Sequence, residues 1–334
     1  MKKNQGAAPF PPEDLEKILI IKPSSLGDIV HGLQVAQSLK VQRPNSELTW
    51  IARDCFAPLV WACSSVDRCW MYHRHGGWSA WRQLLKTIRS ERFDAVLDLQ
   101  GLARSGLMTL VARSDEKIGR SDAREGSRWC YHRRMPLPLG GRESHALEIL
   151  VEVLPLLGCA PELSWPLRFN PMAVRALSEA VLAKHRIVLF PESRRPEKEW
   201  PFFAVLAEHL CKTFPEASLI WSGQGKAVRP PSVSANIINL SGRLPVEGLL
   251  PLIANASLVI ANDSAPVHLA AALGTPVLAL FGPTDPKRYG PYPLTRSSHH
   301  FLQAPGGKLD QLSVEPVIAK VRAVMVKIMK GEPQ

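Results

Sequence analysis

The sequence predicts an α/β protein of two doubly wound halves, each a parallel sheet wrapped by helices. Three observations carry this prediction. Short apolar runs alternate with segments of helical spacing, the pattern of strands linked by crossover helices. The first run of each half, Ile18-Leu19-Ile20-Ile21 and Ile187-Val188-Leu189-Phe190, is followed by Pro-x-Ser (Pro23-Ser24-Ser25 and Pro191-Glu192-Ser193). Between the halves, the proline-rich stretch 161–171 breaks the pattern. The expected organisation is an N-terminal extension over 1–16, a first domain over 17–165 and a second over 172–334.

Within the first half, Lys17 to Lys22 reads as a strand buried on both faces. The turn Pro23 to Asp28 follows, then a helix through Leu39. Further strands are expected at Leu48–Ala52 and Phe93–Leu99, with a helix over Trp81–Ser90 between them. In the second half, strands are expected at 187–190, Ser218–Trp221, Ile237–Leu240, Leu258–Ile260 and Pro276–Phe281. A helix opens at Trp200-Pro201 and runs to about Lys212. Around the strand at 258–260 the chain reads Asn262-Asp-Ser-Ala-Pro-Val-His268, then Leu-Ala-Ala-Ala-Leu-Gly-Thr275. Asp263 or Ser264 suits the N-cap of a short helix, Pro266 its first turn and Gly274 its C-cap. Ligands of such sheets lie at the carboxyl ends of the strands, and a helix N-terminus there attracts anions. Two such domains facing each other would set the site in a cleft.

Composition narrows the function. With 334 residues, 46% hydrophobic and 21% charged, the chain fits a soluble globular protein of two domains. No apolar run approaches the roughly 20 residues of a membrane span. The first 16 residues lack the roughly 7–15-residue apolar core of a signal peptide. The six cysteines form no Cys-x-x-Cys pair, so free thiols in a reducing cytoplasm are expected. A net charge of +11 favours an anionic partner. The densest basic stretch, Arg120 to Arg134, accompanies no helix-turn-helix, zinc finger or RNA-binding motif, so nucleic acid is not expected. The Gly-x-Gly-x-x-Gly fingerprint after either first strand and the P-loop are absent, which argues against a simple dehydrogenase or a P-loop ATPase.

Several residues fit chemistry. Asp28, just after the first strand, fits a general base or a helix cap. Lys198, in the polar loop before the second-half helix, fits a diphosphate ligand or a solvated loop charge. Gln224 fits a ribose or base contact, or a turn. Asp263 fits a cap or an acceptor of sugar hydroxyls. His268 fits an anion site or a structural helix residue. No cluster fits a metal.

Taken together, Ile20-Ile-Lys-Pro-Ser-Ser-Leu-Gly-Asp-Ile-Val-His31, Lys198-Glu-Trp-Pro201, Asn262-Asp-Ser-Ala-Pro-Val-His268 and Phe281-Gly-Pro-Thr-Asp-Pro286 resemble glycosyltransferase family 9, the heptosyltransferases of lipopolysaccharide core assembly. The resemblance runs from about Lys17 to Arg322. The Lys-x-Ser-Ser-x-Gly-Asp form, with Ala123-Arg-Glu-Gly126 and the Tyr131-His132 segment, is most similar to heptosyltransferase I. It implies a GT-B fold and metal-independent, inverting transfer of heptose from ADP-heptose to the Kdo region of a lipid A-Kdo acceptor. It further implies a cytoplasmic enzyme in peripheral contact with the inner membrane, without a cofactor. The motifs assign Asp28 as base and Lys198 to the diphosphate beside Ser193. Gln224, Asp263, Ser264, Ala265 and His268 complete the donor side. Ser25, Gly27, Arg104, Arg120, Arg124 and Arg128 are the acceptor candidates, because arginines suit Kdo carboxylates and lipid A phosphates. Of Trp50, Trp61, Trp70, Trp78 and Trp81, most are expected in the core and some at a membrane-facing surface. Two positions depart from the family: Ala265-Pro266 stands where Gly is frequent, and Gln224 where Glu is frequent. The alternatives are a family 9 transferase with another donor or acceptor, a nucleotide-sugar epimerase or hydrolase of the same architecture, and a sugar-nucleotide-binding protein without catalysis.

Overall fold

The computed structural model describes residues 15–175, 184–225, 230 and 237–331. The expected N-terminal extension lies outside these residues except for Leu15 and Glu16. Those two are already tied down: Leu15 is buried, and the Glu16 carbonyl accepts from Glu47 N at 2.6 Å. The chain divides into two compact units, Met1–Ser164 and Trp165–Gln334.

The first unit runs β1 (Lys17–Ile21), α1 (Leu26–Gln42), β2 (Glu47–Arg53), α2 (Ala57–Ala62), β3 (Arg68–Tyr72), α3 (Gly77–Ser90), β4 (Ala95–Asp98), α4 (Ala103–Val111), β5 (Glu116–Arg120), β6 (Arg133–Met135), α5 (Ala146–Val151) and α6 (Val153–Leu156). Its sheet has the order β3-β2-β1-β4-β5-β6, parallel throughout. This is the Rossmann order, in which the chain reverses direction across the sheet between β1 and β4.

The second unit runs α7 (Pro171–Arg175), β7 (His185–Phe190), α8 (Phe203–Thr213), β8 (Ala217–Trp221), β9 (Ile237–Asn239), α9 (Leu249–Ala254), β10 (Leu258–Asn262), α10 (Ala265–Leu273), β11 (Val277–Phe281), α11 (Pro286–Tyr289), β12 (His299–Gln303) and α12 (Val314–Met329). Its order, β12-β11-β10-β7-β8-β9, is also all parallel. Counted from its own first strand, it repeats the first sheet. The chain therefore holds two copies of one topology, each with a switch point between its first and fourth strands.

The central strands form because helices cover both faces, so every residue of β10 and β11, and all of β1 after Lys17, is buried. Strands β3, β5, β6 and β12 were not expected. They carry Arg68, Glu116, Lys117, Arg133, Arg134 and His300, and β5, β6 and β12 leave no run of four apolar residues; β3 holds one, Cys69 to Tyr72, in which Trp70 is half-buried and Met71 exposed. The second-half helix begins at Phe203 rather than Trp200. Trp200 is committed elsewhere: its N donates to Asn262 Oδ1 at 3.0 Å and its Nε1 to Leu312 O at 2.7 Å. The proline-rich stretch is shared out rather than free. Ser164 is bonded to Ser38 and Gln37, whereas Trp165 donates to Ala271 O and stacks under the Arg296 guanidinium at 3.4 Å. Of the five tryptophans at 50–81, Trp50 is wholly buried, Trp70 and Trp81 are half-buried against Phe93 and Tyr72, and Trp61 and Trp78 are exposed.

One close approach fixes the turn region of the first unit. A Cβ on Gly119 of β5 would lie 2.3 Å from the Tyr131 ring, so only glycine fits there. Tyr131 in turn donates to the buried Asp98 at 2.7 Å. Gly119→Ala is expected to displace Tyr131 and destabilise the protein by about 1–3 kcal/mol, the usual cost of overpacking. Chemical denaturation of the variant checks this, and an unchanged midpoint would refute the contact.

Candidate active site

At the carboxyl edge of the first sheet, Lys22 follows β1 and is only 3% exposed. Its Nζ lies 3.9 Å from Asp28 Oδ1 in the first turn of α1. The other carboxylate oxygen, Oδ2, accepts from Ser25 N at 3.1 Å and Ser25 Oγ at 2.6 Å. Ser25 is the N-cap of α1 and Asp28 its third residue, so Asp28 is not the cap residue but reaches back to it. Burial opposes its charge, yet the Lys22 ammonium and the Ser25 bonds outweigh burial and hold Asp28 below the usual carboxylate range. For Lys22 the balance is reversed: burial lowers its pKa although Asp28 pulls it up. The sequence left Lys22 as an ordinary strand-end residue; in the fold it is the buried counter-ion of Asp28. Gly27, between Ser25 and Asp28, is itself buried.

Asp98, at the end of the neighbouring β4, has a different role. It is fully buried and anchors the following turn by accepting from Gln100 N and Gly101 N, both at 2.9 Å, besides Tyr131. Burial pushes its pKa up. The four arginine candidates differ among themselves. Arg120 makes a bidentate pair with Asp122 at 2.8 and 2.7 Å, so its charge is already met. Arg104 is exposed, with its guanidinium 5.5 Å from the centre of the Tyr72 ring. Arg124 and Arg128 are exposed on the turn after β5, Arg128 lying over Trp129.

At the carboxyl edge of the second sheet, Asp263 follows β10 at the switch point. Its Oδ2 accepts from Lys198 Nζ and from Thr284 Oγ1, both at 2.5 Å. Asn262 is buried and joins the two loops beside it, accepting from Trp200 N and donating to Pro191 O at 2.7 Å. Ser264, not Asp263, is the N-cap of α10, and it makes no side-chain cap; its Oγ donates to Asn262 O at 3.0 Å. Ala265 and Pro266 open the helix, half-buried His268 lies in its first turn, and Gly274 closes it at φ 81°, a conformation glycine adopts without strain. Ser193 N donates to Glu199 Oε1 at 2.8 Å. Gln224 N donates to the buried Glu192 at 2.6 Å, which ties Gln224 to the loop after β7.

Lys198, Asp263, Ser264 and the start of α10 thus share one edge of the second unit, while Ser25, Gly27 and Asp28 share one edge of the first. Sequence reasoning missed Lys22, Thr284, Asn262 and Glu192 as site residues. Thr284 stood within a motif already noted, Gly-Pro-Thr-Asp-Pro. Among the described residues, no group of three or more His, Cys, Asp or Glu could hold a metal ion, and no helix is long and apolar enough to cross a membrane.

The sequence profile of glycosyltransferase family 9 (heptosyltransferase) matches residues 81–313. The chain belongs to this family. As a family 9 member it is a glycosyltransferase. It is 29% identical to lipopolysaccharide heptosyltransferase 1 of Pseudomonas aeruginosa over 303 residues, 83% of this chain and 81% of that protein. With lipopolysaccharide heptosyltransferase 1 of Escherichia coli K12 it shares 23% identity over 335 residues, 92% of this chain and all of that one. Its fold superposes on E. coli heptosyltransferase WaaC with ADP at a TM-score of 0.79 and 24% identity, covering 92% of this chain and 99% of that one. For E. coli ADP-heptose lps heptosyltransferase II the TM-score is 0.76 at 22% identity, with coverage of 93% and 99%. The fold class is accordingly GT-B, with two Rossmann-like domains.

The Lys22–Asp28 pairing makes a direct prediction for this glycosyltransferase. Lys22→Met removes the ammonium, so the Asp28 carboxyl should titrate at higher pH than in the parent. Carboxyl-carbon NMR across the acid range checks it; coincident titrations would show that Lys22 does not hold Asp28 ionised.

Proposed function

We propose that this glycosyltransferase moves heptose from ADP-heptose to a hydroxyl of the Kdo region of the lipopolysaccharide inner core, inverting the anomeric carbon and using no metal. The observation that carries the reading is Asp28: an ionised carboxylate at the carboxyl edge of a Rossmann sheet, in a chain of the heptosyltransferase family. Support for the donor comes from relatives named as lipopolysaccharide heptosyltransferases and from the E. coli WaaC structure with ADP-2-deoxy-2-fluoro heptose.

In this reading the first domain takes the acceptor and the second takes the donor. The acceptor oxygen attacks the anomeric carbon as its proton passes to Asp28. The bond from that carbon to the diphosphate breaks on the opposite face, and ADP leaves with the electron pair. Lys198 and the N-terminus of α10, at Ser264, Ala265 and His268, offset the charge that develops on the diphosphate. Pro266 contributes no N–H to that turn, so fewer backbone donors are available than a glycine would leave. Because Oδ2 of Asp263 is bonded to Lys198 and Thr284, a sugar hydroxyl would be received by Oδ1. Ser193 and Gln224 flank the nucleotide. Ser25, Gly27, Arg104, Arg124 and Arg128 bind the acceptor, and Arg120, paired with Asp122, shapes its pocket. The enzyme works at the cytoplasmic face of the inner membrane as a peripheral protein.

Transfer assays with ADP-heptose and Kdo-lipid A, read by mass spectrometry, test the reading. Asp28→Asn should lower turnover by roughly 10²–10⁴-fold while ADP binding, followed by calorimetry, is kept. Near-normal turnover in that variant would remove Asp28 as the base. Turnover of the parent should survive EDTA; loss with EDTA and recovery with Mg²⁺ would contradict the charge-offset scheme. Failure to transfer heptose to any core acceptor, with another sugar nucleotide accepted, would replace the donor.

A further inference from the structure

Helix α3 is two-faced. Its Leu84 and Ile88 are buried against β1, β2 and β4, with Trp81 and Leu85 packed beside them. Its outer side carries Trp78, Arg82, Lys86 and Arg89, spaced by four, four and three residues, so they form one stripe on the helix. All four are exposed, Trp78 to 71%, and the helix contains no acidic residue. Its neighbour α4 packs between α3 and the turn 127–130. α4 also lacks acidic residues and leaves Leu107 and Leu110 in solvent. On that turn Trp129 is 79% exposed.

Three acidic groups near this layer are already engaged. Glu91 pairs with Arg68, Asp115 with Arg92, and Glu125 accepts from Ala103 N at the start of α4. An ordinary solvated basic face would not also expose two tryptophans and two leucines. Such apolar surface is favourable only when something removes it from water. Basic residues beside exposed tryptophan and leucine match the interface of an anionic bilayer: the rings suit the headgroup boundary and the cations suit the lipid phosphates.

We propose that the outer face of α3 and α4, with Trp129, docks on an anionic lipid surface. The inference rests on the reading that the acceptor is carried by a lipid, and apart from Arg104, at the start of α4, it assigns that contact to residues outside the catalytic and binding groups. Such docking would hold the first domain where a lipid-borne acceptor is presented.

The test uses the full chain and sedimentation with two vesicle types, phosphatidylcholine alone and phosphatidylcholine mixed with phosphatidylglycerol. The parent should bind the mixed vesicles, bind the neutral ones weakly, and lose binding as salt rises. Combined Arg82→Glu, Lys86→Glu and Arg89→Glu substitution should lower partitioning by about 100-fold, from about a factor of five per basic residue. Trp78→Ser with Leu110→Ser should weaken binding without changing its salt dependence. Both variants should transfer heptose to a soluble, deacylated acceptor at the parent's rate. Equal binding to both vesicle types, no binding to either, or binding unaffected by the substitutions would overturn the proposal. So would a concentration-dependent dimer of the parent that Trp78→Ser abolishes, since a second copy would then cover the face. If the parent fails on the soluble acceptor yet binds vesicles as described, the functional reading falls and the docking face stands.

Discussion

The parallel pairing of each first strand with its fourth, β1 with β4 and β7 with β10, is the constraint on which the remaining structure depends. A parallel pair cannot be closed by a hairpin, so every connection crosses a face of the sheet and each strand ends on the same edge. At the switch point two adjacent loops leave in opposite directions and open a crevice. In the first unit these loops bring Lys22, Ser25 and Asp28 from one strand beside Asp98 and Gly101 from the next. In the second they bring Glu192 and Ser193 beside Asp263 and Ser264. Duplicating one topology has produced two crevices with different chemistry, one built around an ionised carboxylate and the other around an ammonium and a helix N-terminus.

Buried polar groups hold those crevices in shape. Asn262 joins the loop after β7 to the segment entering α8, using both its amide donor and its carbonyl acceptor. Asp98 gathers Gln100, Gly101 and Tyr131 onto one side chain. A buried polar atom without a partner costs about 1–3 kcal/mol, so each of these groups resists any rearrangement that breaks its bonds. Lys22 and Asp28 belong to the same economy, with the difference that Asp28 keeps contact with solvent. A carboxylate held ionised but not sealed off can meet a hydroxyl.

Much of the fold was legible in the sequence where burial is two-sided. β1, β7, β10 and β11 announce themselves as apolar runs because their central residues are buried on both faces. β12, β6 and the basic β5 did not, since exposed positions admit Arg, Lys and His and erase the signal; the edge strand β3 was missed although Cys69 to Tyr72 is apolar. The same division runs through the site. Asp28, Lys198 and the 262–268 segment were visible because short-range motifs carry them. The bonds that join Lys198 and Thr284 to Asp263 span 65 and 21 residues, and no local pattern announces such a pair. Lys22 was misjudged because a lysine normally reads as surface; only the tertiary packing around Trp50 and Asp28 accounts for its burial.

The shared oxygen of Asp263 has a consequence for selectivity. The Lys198 ammonium already has a counter-ion at 2.5 Å before anything binds. In the proposed reading, a bare inorganic anion would compete for Lys198 with a carboxylate that Thr284 also anchors. A ligand that brings a hydroxyl to Asp263 and an anionic group to Lys198 together would satisfy both halves of the pair. In the proposed reading, the pair would favour a molecule that carries sugar and diphosphate joined over free phosphate, as two keys turned together.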